Sequence, residues 1–480
     1  MNLLRQWYNP PILISLNTVP CFIVIVRSTS IFFTKQTLAP SFLILAIFFT
    51  AKAVVANELL TLEAAVYYTL KHKSDLLAVE EQVTSAHQQF LASDAASQPV
   101  INFSYSARVS DNPLDAFADK LFTQTITTQD FVPDKLNNPN SSELFITSLS
   151  MRWPIYSGGK IEARQLRSHV AYQQRKLLLQ RAQQKSVYAT TQAYLYVIAA
   201  RKALKIAQQA ELAYKHHADS TAKLARQGRI VESDKLSAQV NLAAVKARRT
   251  QSQTRYKHAL SRLKQAIGMP VNKLISVNSD WPDIQVLQDN LDTLYKQAEI
   301  NRIDILAATK AIDSAKANVE ESNAENKPNV NLVASSNWYD DQFGFDSQSS
   351  SLMVIASYKL FDGSIKGKLG SAKAQYKEQL WRKQALQRSI LSEVKLARDD
   401  LLEAQSRIAI AKDNVVLAKK TVRLVKRRYG RGRTILLDLL QSERMYTEAR
   451  MEKLTSEFNL RASRLALLNA VGVLDIPKDQ

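Results

Sequence analysis

Apolar residues recur along the second half of the chain with spacings that alternate between four and three residues. This is a heptad seam, the pattern of a long helix packed against neighbouring helices. The seam consists of Ile390, Val394, Ala397, Leu401, Ala404, Ile408, Ala411, Val415, Ala418, Val422, Val425 and Tyr429. A matching seam in the first half is interrupted at Glu211 and consists of Ala193, Val197, Ala200, Leu204, Ala207, Tyr214 and Ala218.

Proline and glycine are absent where these seams run. Neither residue occurs between positions 160 and 227 or between positions 371 and 429. Helix interiors exclude proline and disfavour glycine, so the pattern predicts two helices of about 60 to 70 residues, each roughly 100 Å long. Helices of this length exclude an all-β protein. Each is either one of several helices that form the wall of a larger assembly or a free-standing rod.

Shorter segments upstream of the long helices alternate apolar and polar residues with a period of two. One apolar row is Phe103, Tyr105 and Ala107, and Leu352, Val354, Ala356, Tyr358 and Leu360 share a face in the second half. Segments of about 9 to 11 residues with terminal aromatics suit an outer-membrane barrel, although a soluble sheet packed on its apolar face fits the strand pattern equally well. Four strands cannot close a barrel, for which about eight are the minimum, so the barrel hypothesis requires three chains with twelve strands.

The sequence contains an internal duplication. The segment from Gly228 to Asp234 precedes a matching segment from Gly432 to Asp438 by 204 residues, and Pro99 precedes Pro328 by 229. Each half is predicted to contain a helix, two strands, a long helix and a final helix. The helices are expected at 59–97, 159–227, 229–267, 288–326, 364–430 and 433–471, and the strands at 100–107, 144–156, 329–338 and 351–361. The first repeat spans 57–287 and the second 288–480.

Residues 1–56 have the features of a signal peptide. They contain four basic residues and no acid, with an apolar core followed by small residues, so we expect export and cleavage after Ala56. An N-terminal anchor is the alternative. Cleavage removes the single cysteine, Cys21, and leaves a net charge of +16 from the full-length +20. An exported chain meets little nucleic acid, so no nucleic-acid partner is predicted.

The candidate chemistry for an enzyme is absent from the sequence. Six histidines are scattered, and the adjacent His216 and His217 point to different sides of a helix, which is poor geometry for a metal. The sequence has no phosphate-binding glycine loop and no nucleophile elbow. We therefore predict neither an enzyme nor a cofactor.

With these features the sequence resembles the TolC-like outer-membrane efflux and secretion proteins over essentially all of its mature length. The resemblance rests on the duplicated order of helices and strands and on the segments where a strand leads into a long helix, Ile155-Tyr-Ser-Gly-Gly159 and Leu360-Phe-Asp-Gly363. Above all it rests on the segment from Tyr429 to Asp438. It implies an α+β membrane fold, in which a trimeric outer-membrane β-barrel with four strands per protomer is continued by a long periplasmic α-helical barrel.

The resemblance also implies a function. The homotrimer would sit in outer-membrane lipid of a Gram-negative cell and extend into the periplasm. It would export small molecules or proteins as the exit duct of a tripartite efflux pump or a type I secretion system, with a periplasmic adaptor and an inner-membrane pump or exporter as partners. A periplasmic coiled-coil adaptor and a structural rod are the alternatives, but the first should show a lipoyl-like domain and the second should lack amphipathic strands.

Gating residues follow from the resemblance by position. In that family, links among an aromatic, a basic and acidic residues close the periplasmic end of the channel. Tyr429 matches the aromatic residue, a tyrosine, and Thr434 stands where the family has the basic residue, with Arg433 beside it. Asp234 and Asp438 match acidic residues of the two halves. Asp438 also matches the first of two inward acids that form a constriction. The second position is Gln441, so one acidic ring is expected instead of two. The alternative for Asp438 is a favourable charge in the first turn of the final helix.

Two glycine turns, at Gly228 and Gly432, are here called the tip turns. A run of basic residues, here called the basic collar, surrounds the second of them. It consists of Lys419, Lys420, Arg423, Lys426, Arg427, Arg428, Arg431 and Arg433. The collar is either a solvated helix face, or part of a docking surface for an adaptor hairpin, or a surface that attracts anionic cargo. The docking surface would be centred on Gly228, Arg229, Gly432, Arg433, Arg427 and Arg428. The segment 108–143 is expected to be the longer extracellular loop, which could restrict the mouth of the channel or act as a phage receptor.

Overall fold

The computed structural model describes residues 59–287 and 289–474. The predicted signal peptide, its cleavage site and Cys21 lie outside this part of the chain.

The elements follow the predicted duplication. In the first half they are β1 (Leu59–Leu60), α1 (Leu62–His72), α2 (Ser74–Asp94), β2 (Val100–Ser110), α3 (Pro113–Phe122), α4 (Pro133–Asn137), β3 (Ser142–Tyr156), α5 (Lys160–Arg226), α6 (Glu232–Ile267) and β4 (Ser276–Val277). In the second half they are α7 (Leu291–Asn301), α8 (Ile303–Ala324), β5 (Asn329–Asp340), β6 (Ser347–Ser357), α9 (Gly363–Gly430) and α10 (Leu436–Val471).

The four long strands form one antiparallel sheet in the order β2-β3-β5-β6, so that β2 and β6 are edges with no further partner strand in the described part of the chain. The sequence placed the last strand at 351–361, but β6 ends at Ser357. Its partner β5 begins at Asn329, the residue that pairs with Ser357. The preceding residue, Pro328, has no N–H with which to continue the ladder. The predicted strand residues Tyr358 and Leu360 therefore lie in the connection to α9.

The two long helices form the centre of the helical region. Helix α5 packs against α2, α6, α8 and α10, and α9 packs against α7, α8 and α10. The N-terminal part of the α9 seam, from Ile390 to Ala411, is buried, whereas the C-terminal seam positions from Val415 to Tyr429 are only half-buried within one chain. The charged interruption of the first seam, Glu211, lies beside Arg249 of α6 at 3.6 Å.

Each of the two predicted 40-residue helices is broken, which corrects the sequence prediction of continuous helices at 59–97 and 288–326. The first break is at Lys73, where ψ is 113°, and the second at Arg302, where ψ is 109°. These residues are 229 positions apart, the offset that also relates Pro99 to Pro328, so the break belongs to the repeat.

A left-handed glycine lies against each break. Gly268 ends α6 with φ +75°, and Gly472 ends α10 with φ +86°. A Cβ on Gly268 would come within 3.0 Å of the Lys73 Cα, and a Cβ on Gly472 within 3.0 Å of the Asn301 carbonyl oxygen. At each joint the end of another helix therefore packs directly against the kink.

The two joints are held by different side chains. Arg302, only 3% exposed, donates hydrogen bonds to both carboxylate oxygens of Asp304 at 3.0 and 2.7 Å, and to Glu393 at 2.9 Å. At the first joint Lys73 is half-buried, and its ammonium group lies 3.5 Å from the Ser186 hydroxyl.

Candidate functional site

The two tip turns have the same backbone. Gly228 and Gly432 adopt φ of +65° and +70°, a conformation that glycine tolerates at little cost. The following amide reaches back to close each helix: Arg229 N–H donates to the Leu224 carbonyl at 3.0 Å, and Arg433 N–H donates to the Arg428 carbonyl at 2.9 Å. Both bonds obey the 204-residue offset, so the sequence repeat corresponds to one duplicated turn.

The two tip aspartates occupy equivalent helical positions. Asp234 is the third residue of α6 and Asp438 the third residue of α10, where a negative charge interacts favourably with the helix dipole. Asp438 is exposed and accepts a hydrogen bond from the Thr434 hydroxyl at 2.5 Å. Gln441 is also exposed and lies one turn further along α10. The helix-end role and a role in the channel are compatible, because the Asp438 carboxylate remains accessible to solvent.

Tyr429 is half-buried at the end of α9 and packs against a small apolar core at the tip. This tip core brings α5, α6 and α10 together and consists of Ala210, Tyr214, Ala218, Ala238, Val245, Leu436 and Leu440. The Tyr214 hydroxyl donates to the Leu440 carbonyl at 2.9 Å, and burial raises the pKa of this tyrosine. Tyr429 is therefore attached to the structure that holds the two tips of one chain together.

Among the candidate gating residues of the described part of the chain, only Thr434 and Asp438 are joined by a side-chain hydrogen bond. Across the described residues, no hydrogen bond or ion pair joins Tyr429, Asp234 or Arg433 to one another. The structure does contain a polar contact that the sequence did not predict: His217 Nε2 lies 3.2 Å from Glu443 Oε1, and both residues are buried. The only signal was the place of His217 beside the seam position Ala218, which is too weak to identify a contact with a residue 226 positions away.

The basic collar is a cluster of exposed positive charge. All eight of its side chains are exposed, and none forms an ion pair with any residue in the described ranges. Arg229 at the first tip is also exposed. Because no acid among the described residues forms an ion pair with it, the collar gives the second tip a concentrated positive charge that is open to solvent.

The sheet has one apolar and one polar face, and the strand register creates them. Ile101, Met151, Ala334 and Leu352 are paired across all four strands, and the next row, one residue along, is Asn102, Ser150, Ser335 and Ser351. Residues directly paired across strands share a face. The apolar rows predicted separately for each strand therefore form one continuous surface, with a serine-rich surface behind it.

Aromatic residues border the apolar face at both ends. The ring centroids of Tyr105 and Phe145 are 6.2 Å apart near the outer ends of their strands, and Phe343 packs 5.4 Å from Tyr105. Trp153 lies on the same face near the helices. Eight residues at about 3.3 Å each, tilted by about 40°, separate Phe145 from Trp153 by roughly 20 Å along the membrane normal, close to the height of an outer-membrane apolar band.

Within the described part of the chain, no group of three or more His, Cys, Asp and Glu side chains could hold a metal ion. The helices there also include none that combines the length and the hydrophobicity of a membrane span.

The sequence matches the family model described as outer membrane efflux protein over residues 65–269 and 294–473. No curated protein matches the sequence. Among solved structures, the outer-membrane channel OprN is similar with a TM-score of 0.72 at 21% identity, covering 86% of this chain and 89% of that one. The Campylobacter jejuni CmeC outer membrane channel gives 0.75 at 15% identity, with 87% of each chain covered. The open state of the Neisseria gonorrhoeae MtrE outer membrane channel gives 0.70 at 17% identity, with 86% and 88% covered.

Proposed function

The chain belongs to the outer membrane efflux protein family, and from this premise we propose that three copies close into one duct that leads from the periplasm to the outside. The predicted family and fold class are confirmed by the family match and by the similarity to outer-membrane channels. The protein is an outer-membrane channel with helices that extend into the periplasm, and it serves as the exit duct of an efflux or secretion system. The source of energy is a partner, because the family consists of channels.

The open sheet is the observation that supports the proposed trimer. Among the described residues its two edges, β2 and β6, each lack a partner on one side, and its apolar face is one that water would hydrate unfavourably. Strand β2 runs away from the helices and β6 runs towards them, so the edges of neighbouring copies can pair in the antiparallel sense used by the other strands. Closure satisfies the edge hydrogen bonds, places the apolar face against lipid and turns the serine-rich face inward.

Cysteine cross-linking tests this closure. Ser104→Cys in β2 is combined in turn with Ser349→Cys, Ser350→Cys and Ser351→Cys in β6, and outer membranes are oxidised before denaturing electrophoresis. We expect covalent dimers and trimers from the combinations that share a face. Ser104→Cys with Ser335→Cys is the control, because Ser335 lies in the interior strand β5. Linkage in the control alone, or in no combination while the protein fractionates as a soluble monomer, would refute the barrel.

We assign the closed end of the duct to the tips, with Tyr429, Asp234, Thr434 and Arg433 as gating residues and Asp438 as the lone acidic ring beside Gln441. The support is positional, since all lie at or within about two turns of the tip turns and Asp438 is exposed. Asp438→Asn should remove most of the cation preference in planar bilayers, and Gln441→Asp should increase it by adding a second ring. Unchanged reversal potentials in asymmetric salt for both variants would contradict the assignment.

We assign adaptor docking to the tip turns at Gly228, Arg229 and Gly432 together with Arg427, Arg428 and Arg433 of the basic collar. The charge of the collar is exposed and has no ion-pair partner in the part of the chain that the structure describes, which favours a partner with acidic residues at its contacting end. Arg427→Glu with Arg428→Glu should abolish export while trimers still assemble. Lys373→Glu with Arg388→Glu, also exposed on α9 but far from the tip, is the matched control and should export normally. Export by the tip variant would remove the collar from the docking surface.

A further inference from the structure

The connection between β2 and β3, residues 111–141, is much longer than its counterpart between β5 and β6, residues 341–346. Both lie at the end of the sheet away from the long helices, which is the outer end in the proposed orientation. The long connection contains α3 and α4 and is here called the outer insertion. The sequence left open whether this segment restricts the mouth of the channel.

The outer insertion is attached to one face of the sheet. Arg108 forms an ion pair with Asp115 at 3.3 Å and a second with Asp119, and the Ser142 hydroxyl donates to Asp119 at 2.7 Å. Phe122 at the end of α3 stacks on Tyr339 with ring centroids 4.8 Å apart. Asp115, Asp119 and Phe122 lie on one side of α3, four and three residues apart, so this side of the helix faces the sheet.

The face that these contacts use is the polar one. Arg108 belongs to the strand row that includes Asn102, Ser104 and Ser106, and Tyr339 is paired through Ile146 with Ser106. In a closed barrel the polar face lines the interior. The outer insertion therefore folds into the mouth of the barrel instead of lying over its rim.

The outer insertion is packed. Lys120 forms an ion pair with Asp130, and this carboxylate also accepts hydrogen bonds from the Thr127 amide at 2.7 Å and the Thr127 hydroxyl at 2.8 Å. Phe117 meets Phe131 edge to face at a centroid distance of 5.7 Å. Asp119 and Asp130 are only 3% and 7% exposed, which a loop without tertiary structure would not achieve.

One side of α3 remains uncovered and apolar. Leu114 is 75% exposed and Leu121 is 51% exposed. They are seven residues apart, so they share a side of the helix, away from the residues that hold it to the sheet. Around a threefold axis, three such pairs would surround the exit. A hydrophobic constriction impedes water and ions because its lining offers them no hydrogen bonds.

We propose that α3 forms a second constriction of the duct, at its outer mouth, in which Leu114 and Leu121 of the three copies meet and set the size of the molecules that leave. The proposal rests on the trimeric barrel proposed above. Arg108 is the positioning residue, since its ion pairs hold α3 against the polar wall. This constriction is separate from the tips, which lie at the other end of the helices.

Thiol labelling from outside intact cells tests the constriction without depending on the state of the tips. Ser148→Cys places a thiol on the polar face below the insertion, and Leu149→Cys places one on the lipid face. A bulky polyethylene glycol maleimide should label Ser148→Cys at least about tenfold more slowly than a small maleimide does, because it must pass the constriction. Adding Leu114→Ser and Leu121→Ser, or Arg108→Ala, should remove most of that difference.

The outcomes separate the two proposals. Gln129→Cys, exposed on the outer insertion, should react with both reagents at the same rates in every background, and trimer migration verifies assembly of each variant. Rapid labelling of Ser148→Cys by the bulky reagent in the unmodified background would overturn the constriction and leave the barrel intact. Equal labelling of Ser148→Cys and Leu149→Cys by the small reagent would overturn the barrel itself.

Discussion

The two helix joints, at Lys73 and at Arg302, have the same backbone conformation but are filled by different side chains. In each joint a helix is interrupted for one residue, and the left-handed glycine that ends another helix lies against the interruption. The second joint buries an arginine among two carboxylates, with Arg181 3.6 Å from Asp304. The first uses hydroxyl groups instead: Thr69 and Thr190, both fully buried, lie 2.9 Å apart.

The difference shows which part of a duplicated joint is constrained. The kink and its close glycine contact are present in both halves, whereas the side chains that fill the space differ. The titration of the second joint reflects its burial. Desolvation favours the neutral form of Arg302 and Asp304, but their mutual hydrogen bonds and charges outweigh it, so the pKa of Arg302 is raised and that of Asp304 lowered. Burial, followed by the charge of Arg302, lowers the pKa of Arg181.

The largest difference between the joints should appear when each cation is replaced by methionine. Arg302→Met leaves Asp304 and Glu393 without their main partner and should cost about 3 to 5 kcal/mol of the free energy of unfolding. Lys73→Met should cost no more than about 1 kcal/mol, because within the described residues the one polar contact of its side chain is with the Ser186 hydroxyl. The measurement is denaturant unfolding of the detergent-solubilised protein. Equal losses in the two variants would mean that the buried ion pairs of Arg302 contribute no more to the free energy of unfolding than the single contact of Lys73.

The glycines should show the opposite behaviour, with equal losses in the two halves. Gly268→Ala and Gly472→Ala each force a residue with a Cβ into the left-handed region, at about 1 to 2 kcal/mol, and each adds a close contact with the opposing helix. We expect a loss of roughly 2 to 3 kcal/mol for either variant. Gly228→Ala has the same backbone conformation but open space around it, so it should lose only the conformational part.

Acid should distinguish the joints by a smaller amount. The pKa of Asp304 in the folded chain lies below the ordinary value of 3.8. The stability that its ionised form contributes is therefore present above that value and is lost as the pH falls through the lower folded pKa. Asp304→Asn should flatten the fall in stability below about pH 4, whereas Lys73→Met should leave it unchanged. A pH profile of Asp304→Asn identical in shape to that of the unmodified protein would contradict this assignment.

The smallest effect should come from making the first joint resemble the second. Val394 stands 204 residues after Thr190 and Ala298 stands 229 after Thr69, so the second joint is apolar where the first has hydroxyls. Thr69→Val with Thr190→Val removes both partners together and should change stability by less than about 1 kcal/mol. Thr190→Val alone should cost more than the double variant, because it leaves the Thr69 hydroxyl without one of its partners. A double-mutant cycle measures the difference.

Much of the fold could be predicted from local patterns. The absence of proline and glycine indicated both long helices, although α9 begins at Gly363 and contains Gly367 and Gly370 in its first turns. Alternation indicated all four strands of the sheet. The tip turns followed from glycines in matching positions. The breaks at Lys73 and Arg302 were missed because no residue there disrupts a helix locally. The contact between His217 and Glu443 was missed because it joins two helices that only the tertiary fold brings together.

The sequence by itself determined the periodicity, the duplication and the character of each strand face, since each depends on residues close together in the chain. Only the tertiary structure decided the strand register that unites Ile101, Met151, Ala334 and Leu352 into one apolar row. It also decided that the outer insertion covers the polar face and that Arg302 is buried among acids. These depend on contacts between distant residues, where the cost of burying a charge or exposing an apolar row selects one arrangement among many with the same local pattern.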